Sequence, residues 1–266
     1  MKKEDNYLDI NKQAWNNKTE VHVNSAFYNM AEFLQGKSSL NDIELQLLGD
    51  IRGKKVLHLQ CHFGQDTISL GRLGADVTGM DLSDRAIEKA RELAVTTGVP
   101  ARFICCDVYS LPQHLNEQFD IVFTSYGTIG WLPDLQKWAK VVSGFLKPGG
   151  VFVMADFHPV VWMYDNNFEK VAYNYFKDEP IVEMELGTYA DVTAPIETEL
   201  ISWNHSLSEI LNNLIDEGLE VNRFNEYDYS PYNCFSHTEE FAPGKFRIIS
   251  FGNNIPMVYS IKATKK

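Results

Sequence analysis

Four short stretches of this 266-residue chain gather residue types that bind ligands or move protons. The first is Gln60-Cys61-His62-Phe63-Gly64-Gln65-Asp66-Thr67, a polar turn behind an apolar run. Such a turn delivers backbone N–H groups to a ligand, and Gly64 allows close approach where a helix begins. It also reads as an ordinary strand-to-helix turn. The second is Asp81, at a separation from that turn close to the ~20 residues expected of a carboxylate that holds ribose hydroxyls. Alone it would more readily cap a helix; the joint placement favours the ribose. The third is Asp107 with Val108, where an acceptor and an apolar face suit the amino edge and ring of adenine, or else a solvated loop acid. The fourth is Ser125-Tyr126-Gly127-Thr128-Ile129-Gly130-Trp131, two glycines among aromatics, which suits a pocket floor as well as a flexible loop.

Histidine titrates near neutral pH, so His62, His158 and His205 are the candidates for a general base. His158 directly follows an apolar run; its alternative role is a structural histidine bonded to backbone. His205 precedes a helix, where capping competes with chemistry. Trp131, Trp162, Tyr232 and Phe235 could wall an apolar or aromatic substrate, or pack as core. His62 and the cysteines lack zinc spacing, so no metal site is expected.

The elements that must position these residues follow from hydrophobic periodicity. Residues 1–53 read as helical and polar, with Trp15, Phe27, Tyr28 and Phe33. Strands are expected at 55–59, 75–81, 101–107, 119–125 and 151–157. Helices fall between them, at 65–72 closed by Gly74, from Ser83 to Gly98, and along Leu135, Trp138, Val142 and Phe145. Alternation of this kind gives a parallel sheet covered on both faces, with ligands at the carboxyl ends of the strands. Residues 158–202 break the rhythm and read as an insertion, with room for a hairpin. Ser206-Leu207-Ser208-Glu209 is a capping box before a helix that Gly218 closes. Leu219–Tyr227 reads as a sixth strand, 229–255 as a long aromatic connection, and 256–262 as a last strand.

Formal net charge is -12, which argues against a dedicated nucleic-acid binder. No apolar run is long enough to span a bilayer, and MKKEDNYLDI has no apolar core of a signal peptide. The four cysteines, Cys61, Cys105, Cys106 and Cys234, form no CxxC and read as reduced thiols. A cytoplasmic protein with a small-molecule substrate is therefore expected. Asn17-Lys18-Thr19 and Asn204-His205-Ser206 match the glycosylation pattern by chance.

The order of these motifs resembles the class I S-adenosylmethionine-dependent methyltransferases. VLHLQCHFG stands at the family's glycine-rich first motif. VTGMDLSDRAIEKAR is similar to its second-strand acid and helix, FICCD to its third-strand acid, and FDIVFTSYG and LKPGGVFVMADF to its fourth and fifth strands. LHLQCHFGQDT, WLPDL, FHP, WNHSL and SPYNCF resemble an uncharacterised bacterial subgroup. The likeness spans about residues 54–157, and the helix and strands that follow extend it.

The resemblance implies a doubly wound, Rossmann-like α/β fold. Its seven-stranded sheet is mostly parallel with a C-terminal antiparallel strand, and helices cover both faces. It implies a lid at 1–53, carrying Trp15 and His22, and a methyltransferase domain at 54–266 with insertions at about 158–202 and 229–255. Gln60, Cys61, His62, Phe63 and Gly64 would face the methionine part of S-adenosylmethionine. Asp81 would hold the ribose with Leu82 against the adenine, and Asp107 and Val108 would bound the adenine. Ser125 would lie under the methionine part. Tyr126 and His158 are the catalytic candidates, and Trp131, His205 and Tyr232 the substrate-facing ones. The expected reaction is methyl transfer to O or N of a small molecule. The family's first motif has an acid and three alternating glycines, whereas here His58, Gln60 and His62 replace all but Gly64.

Two rival functions differ in sequence. A nicotinamide-dependent oxidoreductase would want GxGxxG after the first strand, and the chain has none. A non-catalytic, cofactor-binding regulatory relative is suggested by the altered first motif.

Overall fold

The computed structural model describes residues 6–266, so the first five residues of the expected N-terminal helical segment lie outside it. That segment forms three helices, α1 (Tyr7–Asn24), α2 (Met30–Leu34) and α3 (Asp42–Leu48). Alternation then starts: β1 (Lys55–Leu59), α4 (Gln65–Arg72), β2 (Asp76–Asp81), α5 (Asp84–Thr97) and β3 (Ala101–Cys105). It continues through α6 (Leu111–His114), β4 (Phe119–Ser125), α7 (Leu135–Phe145) and β5 (Leu146–Phe157). A hairpin, β6 (Ile181–Leu186) and β7 (Glu197–Ser202), precedes α8 (Leu207–Asp216) and β8 (Leu219–Tyr227). A second hairpin, β9 (Thr238–Ala242) and β10 (Lys245–Ile248), precedes β11 (Val258–Lys265).

Seven strands make one sheet in the order β3-β2-β1-β4-β5-β11-β8. The five strands from β3 to β5 run parallel, and β11 lies antiparallel between β5 and β8. Helices cover both faces. On one, Trp138 and Val142 of α7 and Ile210 and Leu214 of α8 pack on Val122, Phe152 and Tyr259. On the other, α3, α4 and α5 bury Leu47, Leu70, Ile87 and Ala90.

Caps set where the helices start. The Ser83 hydroxyl accepts from Ala86 N at 3.0 Å, and Asp134 and Ser206 accept from Lys137 N and Glu209 N. Gly98 ends α5 in the left-handed conformation, φ +66°. β5 starts earlier than the expected Val151. Leu146 already pairs with Phe119, and an irregularity between Phe119 and Ile121 absorbs the Pro148-Gly149-Gly150 turn. The connection at 229–255 is not all loop, because the β9–β10 hairpin forms within it.

The β6–β7 hairpin belongs with the N-terminus rather than the sheet. Asn11 Nδ2 donates to Ile201 O at 2.8 Å, and Ile201 N donates to Asn11 Oδ1 at 3.0 Å. This reciprocal pair, buried on both sides, straps α1 across the carboxyl ends of the strands. Among the described residues no helix is long and apolar enough to cross a membrane.

Candidate active site

The turn after β1 keeps the backbone shape of a glycine-rich loop without the glycines. Gln60, His62 and Gly64 have φ +54°, +50° and +84°. A left-handed non-glycine residue costs on the order of 1–3 kcal/mol and persists only where its surroundings fix it. Here they do. Cys61 N donates to Met80 O at 2.8 Å and His62 N to Asp81 Oδ2 at 2.8 Å. Gln60 Nε2 reaches across to Thr128 O at 2.8 Å. Gly64 also has a packing duty, since a Cβ there would lie 2.9 Å from Ala90 Cβ and 2.9 Å from Phe103 Cζ. Phe63 and Cys61 are buried beneath the turn.

Asp81 stands at the end of β2 with one oxygen on His62 N and the other on Ser83 N, each at 2.8 Å. Low-polarity surroundings push its carboxyl up to about 6, against the pull of these N–H groups. Each oxygen keeps a lone pair for a further donor. Leu82 follows, half-buried. Asp107 Oδ1 accepts from Tyr109 N and Ser110 N at 2.9 and 3.1 Å, so one oxygen shapes the turn after β3. Val108 is buried in the core below it.

At the end of β4, Ser125 Oγ donates to Asp66 Oδ2 at 3.0 Å. Tyr126, φ +32°, points its hydroxyl at Glu44 Oε2, 3.0 Å away. Glu44 is fully buried on α3, and its other oxygen accepts Asn41 N and Asn41 Nδ2 at 3.0 and 3.1 Å. Burial, with the charge of Asp66 beside it, pushes the Glu44 carboxyl up to about 7. The loop carrying Tyr126 is held from below by Asp156 of β5. That carboxylate accepts from Gly127 N, Thr128 N and Thr128 Oγ1. Tyr232 closes the group, its ring 5.1 Å from that of Tyr126 and its hydroxyl 2.7 Å from Asn41 Nδ2.

Spacing did not point to Glu44, Asp66 or Asp156. Asn41-Asp42-Ile43-Glu44 is a readable capping box, yet the sequence carries no sign that its glutamate meets a tyrosine 82 residues on.

The histidines separate. His62 lies on the turn, its Nε2 2.9 Å from His22 Nδ1 and its ring 5.2 Å from that of Trp15. His158 is placed elsewhere, on the α7–α8 side of the sheet near Tyr259. Its Nδ1 accepts from Val160 N at 3.2 Å, so Nε2 carries the proton toward Glu226 Oε1 at 3.0 Å. Both ring nitrogens are thereby engaged, Nδ1 within the turn after β5 and Nε2 across to β8. His205 is buried too, with Nε2 on Leu132 O at 2.8 Å and Nδ1 3.1 Å from Glu209 Oε2. Neither meets the turn after β1. Trp131 does approach it, through an edge contact with Trp15 at 5.5 Å, while its Nε1 donates to Gly127 O at 2.6 Å. Trp162 and Phe235 pack with Phe157. Among the described residues no group of three or more His, Cys, Asp or Glu side chains is arranged to hold a metal ion.

These strand ends match a known pattern. A family model described as a methyltransferase domain matches residues 56–150. The chain is 37% identical over 106 residues to a ubiquinone biosynthesis O-methyltransferase of Photorhabdus laumondii, covering 40% of this chain and 44% of that protein. It is 35% identical over 132 residues to an uncharacterized methyltransferase of Synechocystis, covering 48% of this chain and 59% of that one. The chain thus spans about half the length of the curated relatives it matches. A crystal structure of a putative S-adenosylmethionine-dependent methyltransferase from Listeria monocytogenes superposes with TM-score 0.56 at 19% identity, over 83% of this chain and 95% of that one. At that identity the likeness is one of fold. Sheet order and domain match agree: residues 56–150 match a methyltransferase domain, and the fold is that of structures described as S-adenosylmethionine-dependent methyltransferases.

Proposed function

We propose that this chain transfers a methyl group from S-adenosylmethionine to an oxygen or nitrogen of a small-molecule acceptor. The observation that carries the reading is the turn after β1, whose three left-handed residues are tied to the Asp81 carboxylate through His62 N. The residues present fit the cofactor. Gln60 Oε1 and His62 Nδ1 are buried polar atoms with no partner, both beside the turn that would receive the methionine part. Asp81 keeps lone pairs for ribose hydroxyls, and Asp107 shapes its turn through Oδ1 alone, which leaves Oδ2 for the adenine amino group.

When bound, the cofactor supplies a sulfonium-activated methyl group, so the protein needs chiefly to align an acceptor and take its proton. Ser125 and Tyr126 border the place where the acceptor would sit. In our reading the acceptor's proton passes to Tyr126 Oη as the tyrosine's own proton moves to Glu44 Oε2. A carboxyl held at about 7 is matched to that task near neutral pH. Tyr126 is then the catalytic residue and Glu44 the one that positions and relays. His158 takes no part. Residues 1–53 act as a lid, with Trp15 and His22 of α1 lying against His62. Tyr232 and Trp131 wall the acceptor. A small-molecule acceptor accords with the name of the Photorhabdus relative and with the net charge of -12.

Titration calorimetry with S-adenosylmethionine and S-adenosylhomocysteine tests the reading, with Asp81→Ala as control. Micromolar binding that the substitution removes supports it. A folded wild-type protein that binds neither ligand would end it.

A further inference from the structure

Lys18 is the one lysine or arginine among the described residues that is buried, with 2% of its surface exposed. A buried ammonium is expensive unless paired. Its Nζ lies 2.5 Å from Glu185 Oε2 of β6. It also faces the rings of Trp15, Trp131 and Tyr189 at 5.2, 5.9 and 6.0 Å. The two partners are unequally committed. The Lys18 side chain is 3% exposed, the Glu185 side chain 29%. Glu185 can therefore turn to water, whereas Lys18 cannot.

Lys18 also borders the turn after β1. Trp15, which it faces, is in edge contact with His62, and burial, aided by the Lys18 charge, holds His22 and His62 below the ordinary imidazole range. Those two neutral rings share one hydrogen bond, His22 Nδ1 to His62 Nε2. Whichever ring donates, the pair keeps one free N–H and one free lone pair, on His22 Nε2 and His62 Nδ1. Both atoms are buried and have no partner. A cation, a free donor and a free acceptor thus lie along α1 and the turn after β1. An amino-acid zwitterion presents a carboxylate and an ammonium, which are the complements of that set.

We infer that Lys18, with the His22–His62 pair, forms the subsite for the amino-acid end of the cofactor, and that the Glu185 carboxylate occupies the place of the cofactor's α-carboxylate until the ligand displaces it. This rests on the methyltransferase reading. It adds a binding role for α1 and an internal competitor on the β6–β7 hairpin. The subsite also gives the side chains of the altered first motif a use, since His62 contributes a ring nitrogen where a glycine would offer only backbone.

The test compares two ligands on the full chain by calorimetry. S-adenosylhomocysteine has the amino-acid end; 5′-methylthioadenosine has the same adenosyl thioether without it. Lys18→Met is expected to weaken S-adenosylhomocysteine at least tenfold and to leave 5′-methylthioadenosine unchanged, which also reports an intact fold. Lys18→Arg should restore most of the loss. Glu185→Gln removes the competitor and should tighten S-adenosylhomocysteine severalfold, again without effect on 5′-methylthioadenosine. Equal weakening of both ligands by Lys18→Met, or of neither, would overturn the subsite while leaving the methyltransferase reading intact. Wild-type protein that binds neither ligand would remove both.

Discussion

The backbone N–H of His62 donates to Asp81 Oδ2 at 2.8 Å, so the turn after β1 and the end of β2 share one carboxylate. The same carboxylate accepts Ser83 N at the start of α5. Asp81 therefore sets the shape of the turn after β1 and keeps lone pairs for a further donor.

Removing that carboxylate has two separable effects. Asp81→Ala leaves two backbone N–H groups without their acceptor, at a cost of about 1–3 kcal/mol. Urea denaturation should register that loss, and calorimetry on the still-folded protein should register loss of S-adenosylhomocysteine. Asp81→Asn retains an acceptor oxygen and should recover part of the stability while binding the ligand more weakly than wild type.

Gly64 is needed for space and for backbone shape together. Its φ is +84°, and a Cβ would stand 2.9 Å from Ala90 Cβ on α5 and from Phe103 Cζ on β3. Neither neighbour is a free side-chain end, because Ala90 has only its Cβ and Phe103 is buried. Gly64→Ala should cost about 2–4 kcal/mol, combining left-handed strain with overpacking. At Gln60 and His62 the left-handed shape is already borne by non-glycine residues, so Gln60→Gly and His62→Gly relieve strain. Each should lower stability less than Gly64→Ala does, by thermal melting.

The strands and the acids at their ends were legible because they depend on local pattern. Apolar runs of β1 to β4, with Asp81 closing β2 and Asp107 just beyond β3, set both element and position. What was not legible depends on contacts far apart in sequence. Glu44 reads as half of a capping box, and only the packing of α3 beside β5 brings it to Tyr126. Lys18 reads as one polar residue on a weakly patterned helix, and its burial comes from Glu185 of the β6–β7 hairpin and from the rings of Trp131 and Tyr189, all far off in sequence. His158 shows the converse. Its place after β5 was read correctly, but side chains alternate across a strand, and its ring falls on the α7–α8 face, away from Tyr126.

For His158 a structural role makes a distinct forecast. Its ring satisfies Val160 N and pairs with Glu226 across to β8. His158→Ala should destabilise the fold by about 1–3 kcal/mol, since the part-buried Val160 N–H loses its acceptor. S-adenosylhomocysteine affinity, measured below the melting range, should stay within twofold of wild type. A loss of affinity without a loss of stability would return His158 to the active site.

The Glu44–Tyr126 pair links the site to pH. Burial raises the folded carboxyl of Glu44 from 4.5 to about 7. The folded state therefore holds this proton more tightly than the unfolded chain, and the associated stability is full below about 4.5 and lost as pH rises through 7. The shift corresponds to about 3 kcal/mol across that window. Urea denaturation from pH 5 to 8 should show stability falling in this range, and Glu44→Gln, which cannot ionise, should flatten the fall. If the pair also relays the acceptor's proton, methyl transfer should rise through the same interval, because only the ionised carboxylate can receive a proton from Tyr126. Tyr126→Phe would then lower kcat and leave S-adenosylhomocysteine affinity unchanged. A rate that rises with pH in Glu44→Gln as it does in wild type would separate the stability effect from catalysis and remove Glu44 from the relay.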